Sequence, residues 1–311
     1  MSVKKTKALI IGNGGSSVNL HASNLHKGKD VFRINKFFLE PQKIHGSKIK
    51  YLVIPGAPFF IFFADYLVKN NTYSIENCIY KKLHKRFFIP DTNQKFIEWN
   101  QFVEQNGCNN SVDGFDGANQ INSNKELSKI TTGPFLTNCS VKLGYKDISI
   151  IGIDFYSEKS SRKYPVAVPK YLTKILPFSA TFSSPRMNKL KGNSYDVGHS
   201  IKADIAYFSE IISSNQDVCF TIYVDDKNTF KIWSRIKGNN NNIDIVQLDP
   251  FKVNLKSPNC ESEILLAIEE YRKKYFLMHL RSTLSHLFAH RRAIIRKMIL
   301  ILRELLINKL K

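Results

Sequence analysis

A chain of 311 residues with an ordinary hydrophobic content of 43% can bury a large core, as one domain with an appendage or as two domains. Its net charge of +20 is not ordinary and asks for an anionic partner: nucleic acid, an acidic membrane surface or a phosphorylated substrate. The five cysteines, Cys78, Cys108, Cys139, Cys219 and Cys260, are odd in number, widely spaced and without a CxxC pair. That argues against a disulfide framework and a zinc site, and for a reducing compartment.

The amino terminus, MSVKKTKALIIGNGG, does not read as a secretory signal, because its apolar run is only four residues and leads into a glycine turn. KALIIGNGGSS reads as a buried strand, a glycine turn and a helix start. DVFRIN (30–35) and IKYLVI (49–54) are the next strands, at a spacing that suits βαβ-like units. PFFIFF (58–63) is too short to span a membrane and reads as core. The chain then reads as less regular to about Leu127, including a loop or insertion at QNGCNNSVDGFDGANQINSN.

TTGPFLTNCSVKLGY reads as a helix leading to the buried strand of KDISIIGIDFY, which stops at Gly152 and releases Asp154, Phe155 and Tyr156 at its carboxyl end. In open α/β sheets ligands bind at that edge. Residues 157–198, rich in Ser, Lys, Pro and Tyr, suit a lid. SYDVGHS follows, then an amphipathic stretch, IKADIAYFSEII. CFTIYVDD and IDIVQLD read as later strands, and Asp225–Asp226 as a turn. Residues 271–311 hold eleven Lys/Arg against one acid, Glu304. At 100° per residue Ile294, Met298, Ile301, Leu302, Leu305 and Leu306 share one face, with Arg292, Arg296 and Arg303 opposite. That is a basic amphipathic helix, suited to a membrane surface more than to nucleic acid, which has no use for the apolar face. Packing against the core or a partner chain is the plainer alternative.

The candidate chemistry is sparse. In GNGGSS, Gly12 and Gly14 begin a GxGxxG pattern whose third position is Ser17. The turn suits a phosphate or nucleotide cradle, since backbone N–H groups point outward there. A dinucleotide oxidoreductase fits less well, because Asn35 stands where an acid should end the second strand. Asp154–Phe155–Tyr156 suits hydrogen bonding to and stacking on a nucleoside, or an ordinary strand end. His199, by spacing alone, reads as a solvated or structural loop histidine. No HExxH or DxD pattern is present, and no metal is expected.

In order along the chain, IIGNGGSS, VFRINKFFLE, KITTG, LGYKDISIIGIDFY, Tyr164 and SYDVGHS resemble the bacterial lipooligosaccharide sialyltransferases of glycosyltransferase family 42, from about Lys7 to Tyr207. The resemblance implies an α/β fold: one Rossmann-like nucleotide-binding domain of GT-A-like type over residues 1–260, with a small lid at 157–198 and a basic helical tail at 261–311. It implies transfer of sialic acid from CMP-sialic acid to a galactose-terminated lipooligosaccharide, with inversion, without a metal or other cofactor, and with α2,3 linkage expected. It places Gly12, Asn13, Asn35, Lys129, Thr131, Thr132 and Tyr195 at the donor. Asp154 and Phe155 hold the cytidine, Tyr156 and Tyr164 hydrogen-bond the departing phosphate, and His199 takes the acceptor proton. The family further suggests a tetramer, and the tail a peripheral place on the cytoplasmic face of the bacterial inner membrane. The departures are Pro55 for a donor-contacting asparagine, Lys36 where glutamine is common, and Lys129 for an arginine, which keeps the charge without the bidentate fork. They leave open another CMP-activated sugar, an inactive paralogue or, in a different class, a basic nucleic-acid-binding module.

Overall fold

The computed structural model describes residues 6–34, 37, 42–54, 58–80, 96–106, 131–155 and 201–249, with a few positions between 262 and 270. The chain divides into two compact units, residues 1–263 and 264–311, and every described strand lies in the first.

That unit is built on eight parallel strands: β1 (Lys7–Ile11), β2 (Asp30–Ile34), β3 (Lys48–Ile54), β4 (Ser74–Tyr80), β5 (Phe96–Glu98), β6 (Asp147–Ile151), β7 (Cys219–Val224) and β8 (Ile243–Gln247). Their spatial order is β5-β4-β3-β2-β1-β6-β7-β8. The chain first builds outward from β1 on one side, then returns to add β6, β7 and β8 on the other. The order therefore reverses between β1 and β6, which pair from Lys7 opposite Asp147 to Ile11 opposite Ile151. A doubly wound sheet opens its ligand crevice at such a point, beyond the carboxyl ends of the strands.

The run of apolar residues in β1 is explained by burial on both sides. Ala8 and Ile10 join one core cluster with Ile148 and Ile150 of β6. That cluster takes in Phe102 of α3 (Trp99–Gln105), Phe135 and Leu136 of α4 (Thr132–Lys142), Phe208 and Ile212 of α5 (Ile201–Ser214), and Trp233 of α6 (Lys227–Lys237). Leu9 and Ile11 point the other way and are equally buried, as are Ile61, Phe63 and Leu67 of α2 (Pro58–Lys69). Helix α1 is one turn (Gln42–His45).

Three sequence expectations change. The helix expected after the glycine turn is two short 3-10 turns, Gly15–Val18 and Leu20–Ala22. The region read as less regular contains α2, β4, β5 and α3: PFFIFF continues through ADYLVK as a twelve-residue helix. Asp225–Asp226 is not merely a turn. Asp226 caps α6, its carboxylate accepting from the amides of Asn228 and Thr229. Among the described residues no helix is long and apolar enough to cross a membrane.

Candidate active site

Two loops cross at the switch point. Past the end of β1, the Gly12 amide donates to Ile151 O and the Gly14 amide to Gly152 O, both at 2.8 Å. The crossing leaves no room for side chains. A Cβ on Gly12 would lie 2.1 Å from Gly152 O, and one on Gly152, where φ is +75°, would lie 2.5 Å from Gly12 O. Gly12 and Gly152 are thus required by each other.

Ser16 ties the same loops by side chain. Its amide donates to Asp154 Oδ2 at 2.9 Å and its hydroxyl to Asp154 Oδ1 at 2.6 Å. The Ser16 hydroxyl also accepts from the Gly152 amide at 2.9 Å. Asp154 is 7% exposed. Burial pushes its carboxyl pKa up to about 6; the two Ser16 bonds oppose this, and the charges of Asp225 and Asp226 add to it. A Cβ on Gly14 would sit 2.5 Å from Asp154 Oδ2, so the glycine makes room for this carboxylate.

Phe155 faces inward. Phe155 takes a left-handed φ of +48° and buries its ring at 5.1 Å from Trp233 and 5.9 Å from Phe208, centroid to centroid. The aromatic surface expected there for stacking is turned into the core by the left-handed backbone at this position. That backbone is itself held: Thr229 Oγ1 donates to Asp154 O at 3.1 Å and Trp233 Nε1 to Ile153 O at 3.2 Å. Ile153 joins the third loop. Its side chain would touch a Cβ on Gly12 at 3.0 Å and one on Gly133 at 2.7 Å, so α4 starts hard against the crossing.

Thr131 is the N-cap of α4, yet its side chain makes no cap bond. Both its donors go to Asp204 in the first turn of α5: the amide to Oδ1 at 2.7 Å and the hydroxyl to Oδ2 at 2.8 Å. Burial pushes the Asp204 pKa up to about 6 against the pull of those two bonds. Behind the Ser16–Ser17 turn, His45 is 1% exposed with Nε2 2.5 Å from Ser17 O. Burial first, and Arg33 second, hold its pKa well below the ordinary value.

The structure therefore brings together Gly12, Asn13, Thr131, Thr132, Asp154 and Phe155 around the carboxyl ends of β1 and β6. Asn35, Pro55, Lys129, Tyr156, Tyr164, Tyr195 and His199, like the lid and most of the tail, lie outside the described residues. Among the described residues no cluster of His, Cys, Asp and Glu is arranged to hold a metal. Sequence reasoning missed Ser16 and Asp204. Asp204 had a signal: it shares a helical stripe with Phe208, Ile211 and Ile212, where a carboxylate is out of place unless it is paired.

Residues 6–175 match the family described as Alpha-2,3-sialyltransferase (CST-I). The fold is similar to that of the monofunctional alpha-2,3-sialyltransferase Cst-I from Campylobacter jejuni, with TM-score 0.52 and 22% identity over 88% of this chain and 97% of that one. It is also similar to monomeric CstII, with TM-score 0.51 and 23% identity over 84% of this chain and 99% of that one. An uncharacterized protein of Haemophilus influenzae is 30% identical over 94 residues, 30% of this chain. The chain spans 38% of the length of that curated relative.

Proposed function

The chain belongs to the Alpha-2,3-sialyltransferase (CST-I) family, glycosyltransferase family 42, and from that premise we propose that it transfers sialic acid from CMP-sialic acid to a sugar hydroxyl. The observation that carries this is the meeting of the GNGG, TTG and GIDF segments at the switch point between β1 and β6, beyond the carboxyl ends of those strands. There the donor lies across Gly12, Asn13, Asn35, Lys129, Thr131, Thr132 and Tyr195. The cytidine rests against Asp154 and the backbone of Phe155.

The reaction is a single displacement with inversion. The acceptor oxygen forms a bond to the anomeric carbon as the bond from that carbon to the phosphate oxygen breaks, and the electron pair leaves on CMP. CMP is a fair leaving group, and the hydroxyls of Tyr156 and Tyr164 stabilise the charge that develops on it, a task otherwise given to a metal. His199 takes the acceptor proton; a histidine of reference pKa about 6.5 is suited to that at neutral pH. The segment 157–198 covers the donor and excludes water. The acceptor is a galactose-terminated lipooligosaccharide, joined by an α2,3 linkage. The basic tail holds the enzyme, as a tetramer, on the cytoplasmic face of the inner membrane.

The test is to incubate the purified protein with CMP-sialic acid and a lactose-type acceptor and follow the anomeric signals by NMR. An α-linked sialoside formed from the β-linked donor supports the proposal. A product with retained configuration refutes the single displacement, and transfer only from other CMP-sugars refutes the donor.

A further inference from the structure

Helices α4 and α5 are pinned together near their amino ends by one side chain. The carboxylate of Asp204 is 4% exposed and holds both donors of Thr131. An apolar residue would extend the buried face that α5 already presents through Ala203, Phe208, Ile211 and Ile212. A buried carboxylate there is costly unless it is fully hydrogen-bonded. Nor does α4 need it as a cap, since a threonine at the N-cap ordinarily serves with its own hydroxyl. Thr131 instead turns that hydroxyl to Asp204. The result fixes both the backbone and the rotamer of Thr131, immediately before Thr132 and Gly133, where α4 meets the loop crossing through Ile153.

We propose that Asp204 is a positioning residue for the donor: it holds Thr131 and Thr132 in place and fixes them relative to the start of α5, into which the GHS segment leads. The inference rests on the donor-cleft reading given above.

The experiment uses the full-length protein and its Asp204→Ala, Asp204→Asn, Thr131→Val and Asp204→Ala/Thr131→Val variants. It reads CMP affinity by calorimetry, donor and acceptor KM, kcat and Tm. Loss of a charged hydrogen-bonding partner is worth about 1.5–3 kcal/mol, so Asp204→Ala should weaken CMP binding and raise the donor KM about 10- to 100-fold. The acceptor KM should change little. Asparagine can still accept from the Thr131 amide and donate to its hydroxyl, so Asp204→Asn should recover most of the loss. The double variant should be little worse than Asp204→Ala alone.

A lower Tm with CMP affinity and donor KM unchanged would make Asp204 merely structural and overturn the inference. Strictly additive effects would overturn it as well. If Asp204→Ala does not fold, Asp204→Glu, which keeps the charge but displaces the carboxylate from Thr131, decides: unchanged donor KM and CMP affinity overturn the inference, and a raised donor KM with the acceptor KM unchanged supports it. Failure of the wild type to bind CMP would overturn the donor-cleft reading itself, which the other outcomes leave standing.

Discussion

Ser16 and Asp154, 138 residues apart in the chain, are joined by two hydrogen bonds: amide to Oδ2 at 2.9 Å and hydroxyl to Oδ1 at 2.6 Å. The pair closes the loop after β1 onto the loop after β6. Ser16→Ala removes one donor from Asp154 and the acceptor of the Gly152 amide. Leaving buried polar groups unpaired costs about 1–3 kcal/mol each. The variant should lose stability on that order and bind CMP more weakly. Thermal melts and calorimetry check both.

Asp154 and Asp204 make stability depend on pH. Both carboxyls have pKa values pushed up to about 6 from 3.8, with burial as the first cause. The native state then holds more protons than the unfolded chain between those values. Stability from these groups is fully present below the unfolded pKa and falls as pH rises through 3.8 to about 6. A shift of this size corresponds to about 3 kcal/mol per group. Asp154→Asn and Asp204→Asn should each flatten the decline between pH 4 and 6, a window set by those pKa values. Urea melts across that range check the slope.

At the glycine crossing, Gly12→Ala places a methyl group 2.1 Å from a backbone oxygen that belongs to the neighbouring loop. No flexible side chain is available to move aside. Overpacking of this kind costs about 3 kcal/mol. The variant should melt earlier and lose CMP binding even where it remains folded. Gly28→Ala is the control for surface glycines, since nothing lies within 4 Å of its Cβ position, although its φ of +71° adds modest strain.

Phe155 separates two roles for an aromatic ring. A ring stacked on a base is worth about 0.5–1.5 kcal/mol, or about 2- to 12-fold in affinity. A ring packed on Trp233 and Phe208 contributes to stability instead. Phe155→Ala should cost about 3–5 kcal/mol. Phe155→Leu should fold and keep the CMP Kd within about twofold, less than a lost stacking contact would give.

The proposed membrane role of the tail is tested without truncation. Reversing Arg292, Arg296 and Arg303 to Glu leaves the apolar residues in place. Each basic residue near an anionic surface is worth about 1 kcal/mol, so the triple variant should bind anionic vesicles at least about 100-fold more weakly. Transfer to a soluble acceptor should persist. Unchanged vesicle binding would refute the role.

Much of the sheet was legible because parallel strands buried on both faces give short apolar runs: KALII, DVFRI, KYLVI and DISII all read directly. Strand β4 was obscured by an alternating, half-polar sequence, SIENCIY. Helix α2 was hidden because its aromatic start resembles a lone core run. Helix α6 carries readable signals, Asp226 at its start, Arg235 and Lys237 in its last turn and Gly238 after it. At the site, Gly12, Thr131 and Asp154 stand in recognisable local motifs. Ser16 and Asp204 matter only through partners 138 and 73 residues away, and local pattern cannot reveal such pairings.

The most direct measurement is CMP release from CMP-sialic acid, with and without a lactose-type acceptor and in EDTA, for the wild type and His199→Ala. Release that the acceptor stimulates, that survives EDTA and that collapses in the variant is the expected result. Release that requires a divalent metal, or that proceeds unchanged without the imidazole, would contradict a metal-independent sialyl transfer with His199 as its base.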